Sequence, residues 1–137
     1  MGVIFDSSEI ISLERDRPQV TALVSGREGE PFGISVVTVA ELLHGVERAD
    51  TEVRRLKRLS FVEKVMESFP IFPFDTGVAR IYARIWASLA KKGLTVGAHD
   101  LIIAATAIFL DYSVVTANRR DFEKIEGLKL ELRSAAK

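Results

Sequence analysis

Hydrophobic and polar positions along the chain alternate between two periods. Val3-Ile4-Phe5 is a short continuous apolar run, the pattern of a strand buried on both faces. Runs at 34–37, 71–74 and 114–116 read the same way, and 128–132 alternates like an edge strand. Pro73 suits an edge or a strand end, because it has no N–H to give a central ladder. Between these runs the period becomes helical. Val78, Ile81, Tyr82, Ile85, Trp86, Leu89 and Ala90 fall on one apolar stripe, which predicts that Tyr82 and Trp86 are core residues. A second stripe runs from Val53 through Leu56, Leu59, Val62, Val65 and Met66 to Phe69, with Arg54, Arg55, Lys57 and Arg58 off it. Residues 101–110 are apolar on nearly every side, so that helix is expected to be buried centrally. Shorter helices are expected over 8–15, 18–25, 38–48 and 120–125.

Strands separated by helices imply crossover connections. The expected fold is a three-layer α/β/α sandwich around a central, mainly parallel sheet of about five strands. A chain of 137 residues fits one domain spanning 1–137 and buries enough surface to need no staples. In such sheets ligands bind beyond the carboxyl ends of the strands, near a topological switch point. The residues after each strand are therefore where chemistry is expected.

Acids stand at those positions. Asp6 follows the first run and Glu41 lies four residues after the second. Asp100 opens the apolar helix, and Asn118 and Asp121 follow the run at 114–116. If these ends face one way, four carboxylates and an amide share a cleft. Each has a plainer reading. Asp6 or Ser7 can cap the first helix, and Thr38-x-x-Glu41 has the form of a capping box. Asp100 suits a helix's first turn by the dipole alone, and Asn118 and Asp121 are ordinary turn residues. Together they are harder to dismiss. Carboxylates in one cleft repel and raise each other's pKa unless a cation sits among them. Oxygen donors with water completing the shell are what Mg²⁺ or Mn²⁺ takes.

Composition narrows the chemistry further. The chain has no Cys, which rules out disulfides, thiolate zinc sites and a cysteine nucleophile. With 47% hydrophobic and 28% charged residues it is not a disordered chain. No targeting leader is expected, since the apolar start at 1–5 is broken at Asp6 with no basic segment before it, and there is no run of the roughly 20 apolar residues a membrane helix needs. A cytoplasmic location with no membrane partner is the expectation. The 19 Lys and Arg balance 19 Asp and Glu, which argues against binding nucleic acid through overall charge.

Four segments together resemble the PIN-domain nucleases, and within them the VapC-type toxins of toxin–antitoxin pairs. They are Asp6-Ser7-Ser8, Ser35-x-x-Thr38-x-x-Glu41, the stretch from His99-Asp100-Leu101 to Thr106, and Thr116-Ala117-Asn118-Arg119-Arg120-Asp121-Phe122. None is specific alone; four in the family's order cover nearly the whole chain. The resemblance implies the PIN-like fold and a Mg²⁺-dependent (Mn²⁺ possible) endoribonuclease, the toxin of a type II pair held inactive by a cognate VapB-type antitoxin. It implies homodimerisation, and products with a 5′-phosphate and a 3′-hydroxyl.

The family's acids carry over onto Asp6, Glu41 and Asp100. The fourth position falls on Asn118, orienting water or phosphate, or on Asp121, completing the acidic site. Metal ligation is thus expected of Asp6, Asp100 and Asp121, and proton removal from the attacking water of Asp100. Ser7 stands where Thr is more usual and keeps the hydroxyl; with Thr116, Arg119 and Arg120 it is expected to contact substrate. Setting Asp6, Glu41, Asp100 and Asp121 aside leaves 15 of the 19 acids against 19 bases. Zero net charge is therefore compatible with RNA: a focused acidic cleft in a mildly basic body.

Other signals are read more plainly. His44 and His99 could supply zinc ligands, or His99 a general base, but the non-catalytic reading is preferred, since oxygen donors already explain the site. The group Arg54-Arg55-Lys57-Arg58 could contact RNA phosphates or the antitoxin, but reads by default as a solvated helix face, whereas Arg119, Arg120 and Lys124 flank the proposed cleft and are favoured as phosphate contacts. The competing reading is a catalytically idle PIN-like interaction module whose acids are helix caps. A Rossmann-like nucleotide binder is disfavoured, because no G-x-G-x-x-G or phosphate-loop pattern follows any strand.

Overall fold

The computed structural model describes residues 2–16 and 23–132. Its strands are β1 (Val3–Phe5), β2 (Phe32–Ser35), β3 (Ile71–Phe72), β4 (Ser113–Thr116) and β5 (Lys129–Leu132). They form one five-stranded sheet in the order β3-β2-β1-β4-β5, and every pairing is parallel. The helices between them are α1 (Ser7–Asp16), α2 (Val36–Glu47), α3 (Glu52–Ser68), α4 (Thr76–Lys91), α5 (Ala98–Leu110) and α6 (Arg119–Phe122). The α/β class and the five-stranded parallel sheet are those the sequence predicts.

Side-chain alternation along the central strands divides the core in two. Val3 and Phe5 of β1 join Ile34 and Val115 on one face, under Ile10 and Leu13 of α1, Leu42 and Val46 of α2, and Val62 and Val65 of α3. Ile4 and Val114 point the other way, under Leu89 of α4, Leu101, Ile103 and Ala104 of α5, and Phe122 of α6. Helices thus cover both faces of the sheet, and each fully buried aliphatic or Phe side chain contributes about 1.5–3 kcal/mol. Phe5, Phe32 and Phe69 meet edge to face, with centroids 5.7–6.4 Å apart. Gly33 lets β2 lie against the chain entering β3: a Cβ there would come 2.6 Å from the Pro70 carbonyl oxygen.

Three expectations are corrected. The apolar run at 34–37 is not one strand: β2 ends at Ser35, whose hydroxyl accepts from the Val37 N–H at 3.1 Å and caps α2. The β-branched pair Val36-Val37 looks like strand but forms the first turn of a helix. The third strand stops at Phe72, so Pro73 lies just beyond an edge strand, where its missing N–H costs nothing. The helical stripes are only partly core. Trp86 is 61% exposed, Val53 72% and Leu56 52%, while Tyr82 is half-buried. At 1.5 Å per residue, helices of 17 and 16 residues are about 25 Å long, roughly twice the reach of strands of four residues. Such helices carry more apolar positions than the short strands cover: Val78 and Leu89 of α4 are buried while Trp86 between them is not. The helix expected over 18–25 falls largely on residues outside those described.

Candidate active site

Strand order reverses at β1: β2 and β3 lie on one side of it, β4 and β5 on the other. The carboxyl ends of β1 and β4 therefore form the switch point, and Asp6 stands there, its N–H donating to the Val115 carbonyl at 3.1 Å. Asp6 is 5% exposed, yet both carboxylate oxygens are satisfied. Oδ1 accepts from the Ser8 N–H and Oδ2 from the Thr116 hydroxyl. The Thr116 oxygen in turn accepts from the Asn118 N–H at 2.8 Å, so a single buried hydroxyl ties together Asp6, β4 and the start of α6.

Glu41 reaches the same region from the middle of α2. Its Oε1 accepts from the Ser7 hydroxyl, and its Oε2 lies 3.3 Å from Nδ1 of His99. Asp100 stands half-buried in the first turn of α5. Its pKa is pushed up to about 6, first by burial and then by the negative charges of Asp6, Asp121 and Glu41, with His99 pulling the other way. The four acids thus share one electrostatic environment. Asp121, in α6, completes the group and is held by Lys124, whose Nζ lies 3.0 Å from its Oδ1.

Helix capping accounts for little of this arrangement. Asp6 does accept a backbone N–H in the first turn of α1. Glu41 makes no capping box: Ser35 caps α2, and Glu41 is committed to Ser7 and His99. Asp100 makes no cap bond, because α5 begins after Gly97 with no side-chain cap; nor does the Asn118 side chain cap α6. Helix capping explains one oxygen of one acid and leaves the cluster unexplained.

Of the remaining candidates, Ser7 is at the site through Glu41. Thr116 is fully enclosed, so its hydroxyl positions Asp6 and is closed to a substrate. Arg119 pairs with Glu123 at 3.3 Å, while Arg120 and Asn118 are exposed beside Asp121. His99, expected to be non-catalytic, stands at the site through its contact with Glu41. Its adjacency to Asp100 was the available signal, but contact with Glu41 depends on how α5 is docked against α2. His44, one turn beyond Glu41, faces solvent.

Chemically, this is a carboxylate cluster with His99 and Lys124 as its nearby cationic or proton-bearing groups. Among the described residues no three Asp, Glu or His side chains form a ready-made metal cage. Asp6, Glu41 and Asp121 each have oxygens turned to protein donors. That arrangement fits Mg²⁺, which keeps several waters and uses one or two carboxylates together with substrate phosphate oxygens. It does not fit zinc, which prefers a closed shell of nitrogen and sulfur ligands.

Residues 3–128 match the model of the PIN domain. Ribonuclease VapC1 of Rickettsia felis is 43% identical over 133 residues, covering 95% of each chain. A tRNA(fMet)-specific endonuclease VapC of Salmonella typhimurium is 37% identical over 98 residues, 72% of each. Among solved structures, DNA-bound VapBC from Salmonella typhimurium superposes with a TM-score of 0.85 at 29% identity, covering 96% of this chain and 98% of that one.

Proposed function

The chain belongs to the PIN domain family, among the VapC ribonucleases, and from that premise we propose that it is the toxin of a VapBC-type pair, an endoribonuclease whose acidic cleft hydrolyses RNA phosphodiester bonds with Mg²⁺ or Mn²⁺. The supporting observation is the mutual electrostatics of Asp6, Glu41, Asp100 and Asp121 at the switch point. Such clustering is unfavourable for an empty fold and is relieved by a divalent cation.

Asp6, Asp100 and Asp121 would hold the cation, which supplies charge neutralisation at the phosphoryl oxygens and a more acidic attacking water. Asp6 is held by Ser8 and Thr116, so one ligand is fixed before substrate arrives. Asp100, in the first turn of α5 and close enough to Asp6, Asp121 and Glu41 to feel their charges, is placed to take the attacking water's proton. Glu41, held by Ser7 and His99, orients that water, and Asn118 and Arg120 face the phosphate from the rim. The products carry a 5′-phosphate and a 3′-hydroxyl.

The partners follow from the same reading. The solved relative is a complex of VapB with VapC, and a VapB-type antitoxin is the proposed inhibitor of this chain. A second copy would cover the exposed ladder of Phe74, Tyr82 and Trp86, whose neighbouring rings lie 5.5 and 5.9 Å apart. Among the described residues no helix is long and apolar enough to cross a membrane, and the cytoplasm is the proposed place of action.

The test is brief induction of the protein in cells, followed by sequencing of RNA ends, against an Asp6→Ala control. New 5′-phosphate ends recurring at one or a few sites, and absent from the control, are expected. Identical ends in both cultures would overturn the assignment.

A further inference from the structure

Glu41 and Ser7 line a groove of about 220 Å³ together with Glu14, Leu42, Gly45 and Arg58. Arg58 also lines a second, polar hollow of about 430 Å³, together with Gly45, Arg48, Asp50 and Arg54, where α2 turns into α3. One guanidinium therefore joins the acidic site to a basic hollow. Gly45 lies one turn along α2 from Glu41, and Arg48 about two turns, or roughly 10 Å.

The hollow is organised for an anion. The Arg58 Nη1 donates to the Gly45 carbonyl oxygen at 2.9 Å, which fixes the guanidinium over the end of α2. Arg54 is turned toward Asp50, with contacts of 2.7 and 2.8 Å, leaving that single carboxylate against three guanidinium groups. By contrast Arg55, on the same helix, is taken up by Glu52 outside the hollow. The run that reads in sequence as one solvated face is thus divided by the fold.

Gly45 is an independent sign. A glycine inside a helix weakens it relative to alanine. Here no packing requires one, since a Cβ at Gly45 would meet nothing within 4 Å and its φ is not positive. What its bareness does provide is open backbone on the path from Glu41 to Arg48.

We propose that the hollow of Arg48, Arg54 and Arg58 binds a backbone phosphate of the RNA strand, flanking the one held at the acidic site, with the strand crossing α2 over Gly45. This rests on the ribonuclease reading above and extends it to how substrate is gripped. Guanidinium groups suit phosphate by their forked donors, and such contacts hold the strand without reading its sequence.

The test is fluorescence anisotropy of a labelled single-stranded RNA oligonucleotide of mixed sequence across a salt series, with every protein carrying Asp100→Asn so that RNA is bound and not cut. Arg48→Ala and Arg58→Ala should each weaken binding about fivefold and lower the salt slope by about 0.7, the value for one phosphate on a single strand. Gly45→Ala should weaken binding while the melting temperature holds or rises, the opposite of a structural defect. Unchanged affinity and slope in both arginine variants, while the otherwise wild-type protein cuts RNA, would overturn the hollow and leave the nuclease intact. Loss of antitoxin capture with unchanged RNA binding would also overturn it, assigning the hollow to a protein partner. Absence of both RNA binding and wild-type cleavage would instead sink the ribonuclease reading itself.

Discussion

The Thr116 hydroxyl donates to Oδ2 of Asp6, joining the ends of β4 and β1 where the strand order reverses. Both residues are buried, so the donor is not replaceable by bulk water. Thr116→Val keeps the shape and removes the donor, leaving a carboxylate oxygen unsatisfied at a cost of about 1–3 kcal/mol. A chain of this size should then melt about 3 °C lower for each kcal/mol. If Asp6 holds the proposed cation, cleavage should fall about 10–100-fold, the range for groups that orient metal ligands. Thr116→Ser, which keeps the hydroxyl, should restore both. Thermal denaturation beside an RNA cleavage assay reads the result; a valine variant as stable and active as wild type would show that the bond carries nothing.

Asp100 opposes the stability of the metal-free fold. Its ionised form is disfavoured by burial and by three neighbouring carboxylates. Asp100→Asn removes that charge and should stabilise the metal-free protein by about 1 kcal/mol, a figure reduced for partial solvent screening. The same variant should lose RNA cleavage. A helix-capping Asp would behave oppositely, since its replacement lowers the melting temperature, and denaturation with and without the substitution separates the two.

The pH dependence of stability has a definite sign. Between about pH 4 and pH 6 folded Asp100 keeps a proton that the unfolded chain releases, so its contribution to stability falls as pH rises through this window. Above about pH 6 the penalty is constant. A divalent cation competes with that proton, so stabilisation by Mn²⁺ should grow from pH 4 to pH 7. Melting curves across this range, with and without Mn²⁺ and for wild type against Asp100→Asn, should show a pH-dependent difference that the variant flattens.

Much of this was legible in the sequence because the signals are local. Val3-Ile4-Phe5 and the apolar surroundings of 101–110 announce a buried strand and a buried helix, and Asp6 and Asp100 mark their ends. What was not legible depends on the third dimension. Val36-Val37 has a strand's composition, and only the Ser35 cap makes it helix. The apolar stripe of α4 says which residues share a face, but the sheet beneath decides that Leu89 is covered and Trp86 is not. Likewise, nothing in the spacing of Glu41 and His99 reports that α2 and α5 bring them to 3.3 Å.

The exposure of Trp86 has its own consequence. Trp86→Ala should cost less than about 1 kcal/mol in a monomer, as surface substitutions do, whereas Phe69→Ala, in the core, should cost about 3–5 kcal/mol. If a second copy covers the Phe74–Tyr82–Trp86 ladder, Trp86→Ala should shift the protein toward monomer in sedimentation at micromolar concentration. A wild-type protein that is monomeric there, with the ring still exposed, would remove homodimerisation through this face.

The most direct measurement is cleavage of total RNA by the purified protein, free of any antitoxin, in Mg²⁺ or Mn²⁺ and in EDTA, beside folded Asp100→Asn. Discrete fragments should form with the cation, none with EDTA, and none with the variant. Fragments that persist undiminished in EDTA, or that Asp100→Asn still produces at the wild-type rate, would contradict a metal-dependent ribonuclease built on these four acids.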